Sequence, residues 1–299
     1  MRIDGKALAE SIFTDLTQQV VLLKKQNITP TLVVILVGDD QESLAYIHQK
    51  QKATERIGGK FIFEQLPKTA QTKEVLARVA MYNKDPSVHG LIVQRPLPPH
   101  IDPSINQMVD PKKDVDGFVK NSLFEVPIVK AIFNILDQVF VLSSPRRRGS
   151  ALLSENQNRF PVKPGMTFVD WLHSQRIIII GRGETAGKPI VEAFAKQQCA
   201  TSVINSQTPN PKEMMKTADI IISCVGKRNI VTADALKPGV ILISVGLSRG
   251  EDGKLHGDYE ENDVKNIASF YTPTPGGVGP LNIASLMQNL VLAAQKMIH

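Results

Sequence analysis

The sequence predicts an α/β fold of two domains, each built on a parallel sheet. Two observations carry this. Short apolar runs that suit buried strands alternate with segments of helical period, and the alternation runs through both halves of the chain. The domain number follows from size, because 299 residues of which 42% are hydrophobic hold apolar material for two cores of ordinary dimensions.

In the first half, Thr31 to Val37, Phe61 to Phe63 and Val88 to Val93 read as buried strands, and Glu42 to Gly58 between them reads as a helix. In the second half the strands are Arg176 to Ile180, Thr201 to Ile204, Asp219 to Val225, Val240 to Val245 and Ser269 to Thr272. From Leu281 to Ala294 apolar residues recur at helical spacing without a breaker, which predicts a closing helix with Pro280 in its first turn. Just before it, Tyr271 to Pro280 crowds three prolines and three glycines into ten residues. Prolines fix the chain and glycines bare the backbone, so the segment is either a rigid loop laid against a ligand or a sharp connection.

Composition removes several function classes. The amino-terminal Met-Arg-Ile-Asp-Gly-Lys is charged where a signal peptide is apolar, and no apolar run approaches the roughly 18 residues that span a bilayer. The expectation is a soluble, cytoplasmic protein without a membrane partner. Cys199 and Cys224 lack metal-ligand spacing and are too few for a disulfide framework, so both are expected as buried small residues and no metal is expected. The net charge of +6 is mostly local: residues 140 to 168 hold five basic residues against Glu155, a balance of +4 that leaves +2 elsewhere. No aromatic-interleaved basic face appears in the rest of the chain, which argues against a nucleic-acid partner.

Two constellations carry chemistry. Arg176 to Pro189 runs from an apolar strand into a glycine-spaced turn, in which Gly181, Gly183 and Gly187 allow the backbone to approach a pyrophosphate at a helix amino terminus. Their spacing departs by one residue from the commonest fingerprint. The second strand ends in Asn205-Ser206-Gln207-Thr208, with no carboxylate to repel a 2′-phosphate, and Arg182 stands ready to pair with one or to remain a solvated charge. NADP is thereby favoured over NAD. In the first half, Ser43, Tyr46 and Lys50 lie at i, i+3 and i+7, within an arc of roughly 60° on one helix face. The alternative there is a Tyr packed on the core and a Lys that snorkels to water. Gln94 falls at the carboxyl end of a strand, where ligands of open sheets gather, and Asp114 and Asp116 share a turn in which either one is an Asx-turn residue or a ligand carboxylate.

In their order, these residues resemble the bifunctional methylenetetrahydrofolate dehydrogenase/cyclohydrolase family from end to end, apart from one segment. The resemblance rests on Val37-Gly-Asp-Asp, Ser43, Tyr46, Lys50 and Lys52, Val93-Gln94 with Pro96-Leu97-Pro98, Lys113-Asp-Val-Asp-Gly-Phe118, Gly181-Arg182 through Gly187-Lys188-Pro189, and Pro273 through Pro280. It implies a folate-side catalytic domain over 1–138, completed by the closing helix 281–299, and a Rossmann-like NADP domain over 171–280 across a cleft, usually in a homodimer. It implies NADP-dependent oxidation of 5,10-methylenetetrahydrofolate and hydrolysis of the methenyl product to 10-formyltetrahydrofolate, in one-carbon metabolism and purine biosynthesis. Lys50 would be the catalytic amine, Gln94 its partner and Asp116 the carboxylate that holds the pterin ring. Tyr46, Ser43, Pro275, Gly276, Gly277 and Asn282 would contact the tetrahydrofolate substrate. Gly181, Arg182, Gly183, Gly187, Lys188, Pro189 and Ser206 would hold the dinucleotide.

The chain departs from the family at several points. Pro127-Ile128-Val129 replaces a Cys-Thr-Pro run and removes a hydroxyl, Gly183 replaces a Ser, and Leu281-Asn282 replaces a Met-Thr pair with hydrogen bonding retained through Asn282. Gln207 replaces a basic residue of the 2′-phosphate pocket, which keeps NAD open. Between Leu136 and Gly181 roughly 28 residues are extra, and their polar, Pro and Gly content predicts a surface loop or disordered stretch over 139–170 without a catalytic part. That stretch resembles the in-frame translation of a repetitive DNA element. The competing classes are a monofunctional dehydrogenase and a non-catalytic folate or nucleotide binder. Retention of Lys50, Gln94 and Asp116 favours the bifunctional enzyme.

Overall fold

The computed structural model describes residues 1–144, 162–163 and 165–297. The described residues divide into two compact units, one of 7–130 with 282–297, the other of 1–6 with the described part of 131–281. The elements are, in order, α1 (Gly5–Lys25), β1 (Thr31–Val37), α2 (Gln41–Arg56), β2 (Lys60–Leu66), α3 (Thr72–Lys84), β3 (Gly90–Val93), α4 (Pro127–Ser143), α5 (Phe168–His173), β4 (Ile177–Ile180), α6 (Gly187–Lys196), β5 (Thr201–Ile204), α7 (Pro211–Met215), β6 (Ile220–Ser223), β7 (Ile241–Ser244), β8 (Ser248–Arg249), β9 (Leu255–His256), α8 (Glu261–Val264), β10 (Phe270–Tyr271) and α9 (Val278–Lys296).

In the Ala7–Lys130 unit, β1 lies between β2 and β3 and pairs with both in parallel, Val33 opposite Ile62 on one side and Leu91 on the other. All seven residues of β1 are buried, as a central parallel strand covered on both faces requires. Val33, Ile35 and Val37 pack with Val75 and Val79 of α3. Each such side chain contributes roughly 1.5–3 kcal/mol on leaving water. β2, one edge of the sheet, is longer than expected and only partly buried, with Phe63 exposed, whereas β3 at the other edge is buried throughout.

The second unit carries a parallel sheet in the order β10-β7-β6-β4-β5, together with the small antiparallel pair β8-β9. Counted from β4, this is the doubly wound order in which the chain switches direction between β4 and β6. Ligands of such sheets bind beyond the carboxyl ends of those two strands. The first sheet has its own switch between β1 and β3.

Three expectations need correction. The helix expected over Glu42 to Gly58 is α2, ending at Arg56: Gly58 adopts φ +82 and its amide bonds to the Glu55 carbonyl, a conformation that favours glycine and stops the helix. The closing helix starts three residues early at Val278, with Pro280 still in the first turn. The stretch read as a loop over 139–170 is helical at both described edges. Val139 to Ser143 continue α4, because Ile132, Ile135, Leu136 and Val139 form one buried face, and Phe168 to Asp170 begin α5 behind a Thr167–Asp170 capping box. The remainder of that stretch, 145–161 and Pro164, lies outside the described residues.

Candidate functional site

Helix α2 begins at Asp40, whose carboxylate accepts the Ser43 amide at 2.8 Å, and it buries Ser43, Ile47, Lys50, Ala53 and Thr54. A buried face containing a lysine is costly unless the amine is partnered. The partners come from β3 and from the turn after it. Lys50 is 2% exposed, its Nζ donates to Gln94 Oε1 at 3.1 Å, and Asp116 Oδ2 lies 3.7 Å away. The same Nζ sits 5.0 Å from the centre of the Tyr46 ring, within cation–π reach. Gln94 is oriented by its own amide, which donates to the Arg95 carbonyl at 2.8 Å and so turns Oε1 toward the lysine. Snorkelling of Lys50 to water is thus excluded.

Burial lowers the Lys50 pKa; Asp116 opposes this by favouring the ammonium, and Arg95 reinforces it. Desolvation is the largest of these causes, so the net direction is down. Tyr46 is pushed the other way, first by burial and then by the Asp116 charge. The Tyr46 hydroxyl accepts a hydrogen bond from Asn282 Nδ2 at 2.5 Å, so the amide of Asn282 is committed to a protein group. Ser43 Oγ is buried without a hydrogen-bond partner among the described residues.

The two aspartates of the turn separate cleanly. Asp114 is buried and spends its carboxylate on the chain, accepting Gly117 N at 3.2 Å and Val119 N at 2.8 Å, while Asp116 is left partly open beside the amine. Arg95, which stacks 3.8 Å over the Phe118 ring, is a charged neighbour of Lys50 that sequence reading passed over. Its adjacency to Gln94 was the available signal. Ser43, Tyr46, Lys50, Gln94, Asp116 and Asn282 thus assemble in one unit; Pro275, Gly276 and Gly277 belong to the other. There Gly276 has φ +106, and a side chain on Gly277 would lie 2.6 Å from the Pro273 carbonyl oxygen. The loop tolerates only bare backbone at these points.

The glycine turn follows β4. Gly181 has φ +91, and a side chain on Gly187 would collide with the Gly181 carbonyl oxygen, so strand end and helix start touch through backbone alone. Nothing lies within 4 Å of a side chain placed on Gly183. Gly183 is therefore required by no contact within the described chain, and the space above the turn is open. Arg182, Lys188 and Ser206 are exposed around it, Pro189 is buried in α6, and Asn205 holds the Ser206–Gln207 turn through bonds to Gln207 N and Thr208 Oγ1. Sequence reading passed over the loop after β6: a side chain on Gly181 would meet the Cys224 carbonyl oxygen at 3.1 Å. Cys224 was expected to be buried but is half-exposed there, at the end of its strand, whereas Cys199 is buried. The bare turn at the amino end of α6, open above Gly183 and free of carboxylates at the end of β5, fits the phosphates of a dinucleotide.

Known proteins resemble this chain over nearly its whole length. Residues 3–116 match the catalytic-domain model of tetrahydrofolate dehydrogenase/cyclohydrolase, and residues 168–298 match its NAD(P)-binding-domain model. The bifunctional protein FolD of Polaromonas naphthalenivorans is 36% identical over 301 residues, covering 98% of each chain. That of Bacillus subtilis is 36% identical over 295 residues, covering 98% of this chain and 97% of its own. Among solved structures, the bifunctional FolD methylenetetrahydrofolate dehydrogenase/cyclohydrolase of Campylobacter jejuni superposes with a TM-score of 0.86 at 31% identity over 99% of both chains. The Trypanosoma brucei enzyme, complexed with NADP and an inhibitor, gives 0.84 at 25% identity over 100% of this chain and 98% of its own.

Proposed function

The chain belongs to the tetrahydrofolate dehydrogenase/cyclohydrolase family, and from that premise we propose the part each residue plays in oxidising 5,10-methylenetetrahydrofolate with NADP and hydrolysing the methenyl product to 10-formyltetrahydrofolate. The observation that carries the assignment is the buried Lys50 amine, held by Gln94 and faced by Asp116.

The turn at Gly181, Gly183 and Gly187, with the amino end of α6, holds the pyrophosphate. Arg182, Lys188 and Ser206 surround the 2′-phosphate, and Pro189 fixes the helix start. When bound, NADP supplies the hydride acceptor for the methylene carbon. Asp116 binds the pterin ring, Tyr46 packs on the aminobenzoyl ring, and Ser43 offers its unpartnered hydroxyl. Pro275, Gly276 and Gly277 present backbone to the substrate.

Hydrolysis needs a base that becomes an acid. Burial favours the neutral form of Lys50, and a methenyl cation beside it favours that form further. As water oxygen bonds to the methenyl carbon, Lys50 Nζ takes one water proton. The ammonium then returns that proton to N5 as the carbon–N5 bond breaks, and the hydroxyl proton leaves to solvent as the formyl carbonyl forms. Gln94 holds the amine in place during both transfers. The two units serve as a folate-side domain and a dinucleotide domain of a cytoplasmic homodimer.

The test is reduction of NADP, and separately of NAD, by purified protein with 5,10-methylenetetrahydrofolate, followed by loss of methenyl absorbance without dinucleotide. Turnover in both assays supports the bifunctional reading, dehydrogenation alone supports the monofunctional one, and inactivity of folded protein in both overturns catalysis.

A further inference from the structure

Asp258 is fully buried and forms no ion pair among the described residues, although an isolated carboxylate is among the costliest groups to take out of water. Its carboxylate is held instead by hydrogen-bond donors from the carboxyl end of β6 and the loop after it, and its amide is tied to the carboxyl end of β7. Oδ2 accepts Ser223 Oγ at 2.6 Å and Val225 N at 3.0 Å, Oδ1 accepts Lys227 N at 2.9 Å, and the Asp258 amide donates to Ser244 Oγ at 3.0 Å. The two tied amides belong to the Cys224–Val225 and Gly226–Lys227 peptide groups, so the loop is held at two points around Gly226. There is no slack around them. A side chain on Gly246 would collide with Gly226 N and lie 2.5 Å from the carboxylate, and one on Gly257 would lie 2.5 Å from Thr274 Oγ1.

We infer that Asp258 is a positioning residue for dinucleotide binding: it fixes the Cys224–Lys227 backbone that forms one wall of the glycine turn. This rests on the reading of that turn as the dinucleotide site. The fixed loop faces Gly181, whose side-chain position is 3.1 Å from the Cys224 oxygen and 3.4 Å from Val225 Cγ2, at the switch point between β4 and β6. The loop also displays Val225, 41% exposed, and Leu247, 52% exposed, lies next to it, with its carbonyl oxygen 2.8 Å from where a side chain on Gly226 would begin. An uncovered apolar side chain on this pinned backbone, with a second beside it, suits an uncharged ring of the dinucleotide rather than its phosphates. A loop free to shift by an ångström would lose that surface without disturbing either core.

The test compares wild type with Asp258→Asn and Ser223→Ala in three assays: NADP and NAD binding, steady-state dehydrogenation, and methenyl hydrolysis without dinucleotide. Asparagine keeps the shape but cannot accept both backbone amides. The expected result for Asp258→Asn is a KM for NADP raised by about tenfold or more, with kcat within about twofold and hydrolysis unchanged. Ser223→Ala, which removes one donor, is expected to raise KM by about threefold. An unchanged KM in both variants, with wild type binding NADP normally, overturns the role of Asp258 alone. Wild type that binds neither dinucleotide overturns the reading of the glycine turn and this inference with it. If Asp258→Asn does not fold, Ser223→Ala decides: a raised KM supports the role and an unchanged one overturns it.

Discussion

Lys50 Nζ donates to Gln94 Oε1 at 3.1 Å, and neither side chain is open to solvent. The bond joins a helix face to a strand end 44 residues away, which fixes the amine at the carboxyl edge of the first sheet. Replacing Lys50 with Ala removes the group proposed to move the proton, so methenyl hydrolysis is expected to fall by about 10²- to 10⁴-fold while some dehydrogenation survives. Gln94→Ala leaves the amine present but mobile, and a smaller loss of hydrolysis is expected. Hydrolysis by Lys50→Ala at the wild-type rate would remove Lys50 from the mechanism.

The pH dependence has a definite sign. With neutral Lys50 as the proposed base, hydrolysis should rise with pH through its pKa, which burial places below that of an ordinary lysine. Asp116 favours the ammonium and Arg95 disfavours it, so Asp116→Asn is expected to move the midpoint of the profile to lower pH and Arg95→Gln to higher pH. Shifts in the same direction for both variants would refute the electrostatic account. Stability carries the same signature. The folded chain binds fewer protons at Lys50 than the unfolded one between the lowered pKa and 10.5, and unfolding free energy therefore rises with pH across that window. Lys50→Met should flatten the rise in denaturant titrations.

The side-chain amide of Asn282 donates to the Tyr46 hydroxyl at 2.5 Å. The bond holds the ring that lies beneath the Lys50 amine. Asn282→Ala frees the ring and removes about 1 kcal/mol of orientation, which corresponds to a KM for the folate substrate raised roughly fivefold, with kcat little changed. Steady-state kinetics with 5,10-methylenetetrahydrofolate reads this directly. If KM is unchanged and kcat falls, Asn282 acts on the chemistry and not through Tyr46.

What the sequence disclosed depended on how local each cause is. β1 was legible because a central parallel strand is apolar on both faces, and its seven residues carry that composition without help from elsewhere. The glycine turn was legible because steric demands at Gly181 and Gly187 act within a few residues of each other. Burial of Lys50 was not, since an amine on a helix face snorkels unless a partner arrives, and its partners come from Gln94 and Asp116 far along the chain. The choice between Asp114 and Asp116 turned on which carboxylate met the Gly117 and Val119 amides, a matter of turn geometry. Asp258 had no spacing signal, because its donors are gathered by the meeting of two strand ends.

The glycines of the turn differ in kind, and the difference is measurable. At Gly187 the Gly181 oxygen occupies the space where a side chain would begin, and backbone cannot retreat as a flexible side chain can. Gly187→Ala is therefore expected to destabilise the dinucleotide unit by about 2 kcal/mol or more, seen as a lowered midpoint in thermal or denaturant unfolding. Gly183 meets nothing within 4 Å, and Gly183→Ser should leave stability within about 0.5 kcal/mol of wild type. Any effect of that serine must then appear only with ligand present. Because the open space lies over the amino end of α6, an added hydroxyl there is a new donor for a phosphate, and the expected outcome is tighter NADP binding at unchanged stability. If Gly183→Ser destabilised the free protein as much as Gly187→Ala does, the turn would be closed in solution and the open space above it would have to be abandoned as a phosphate site.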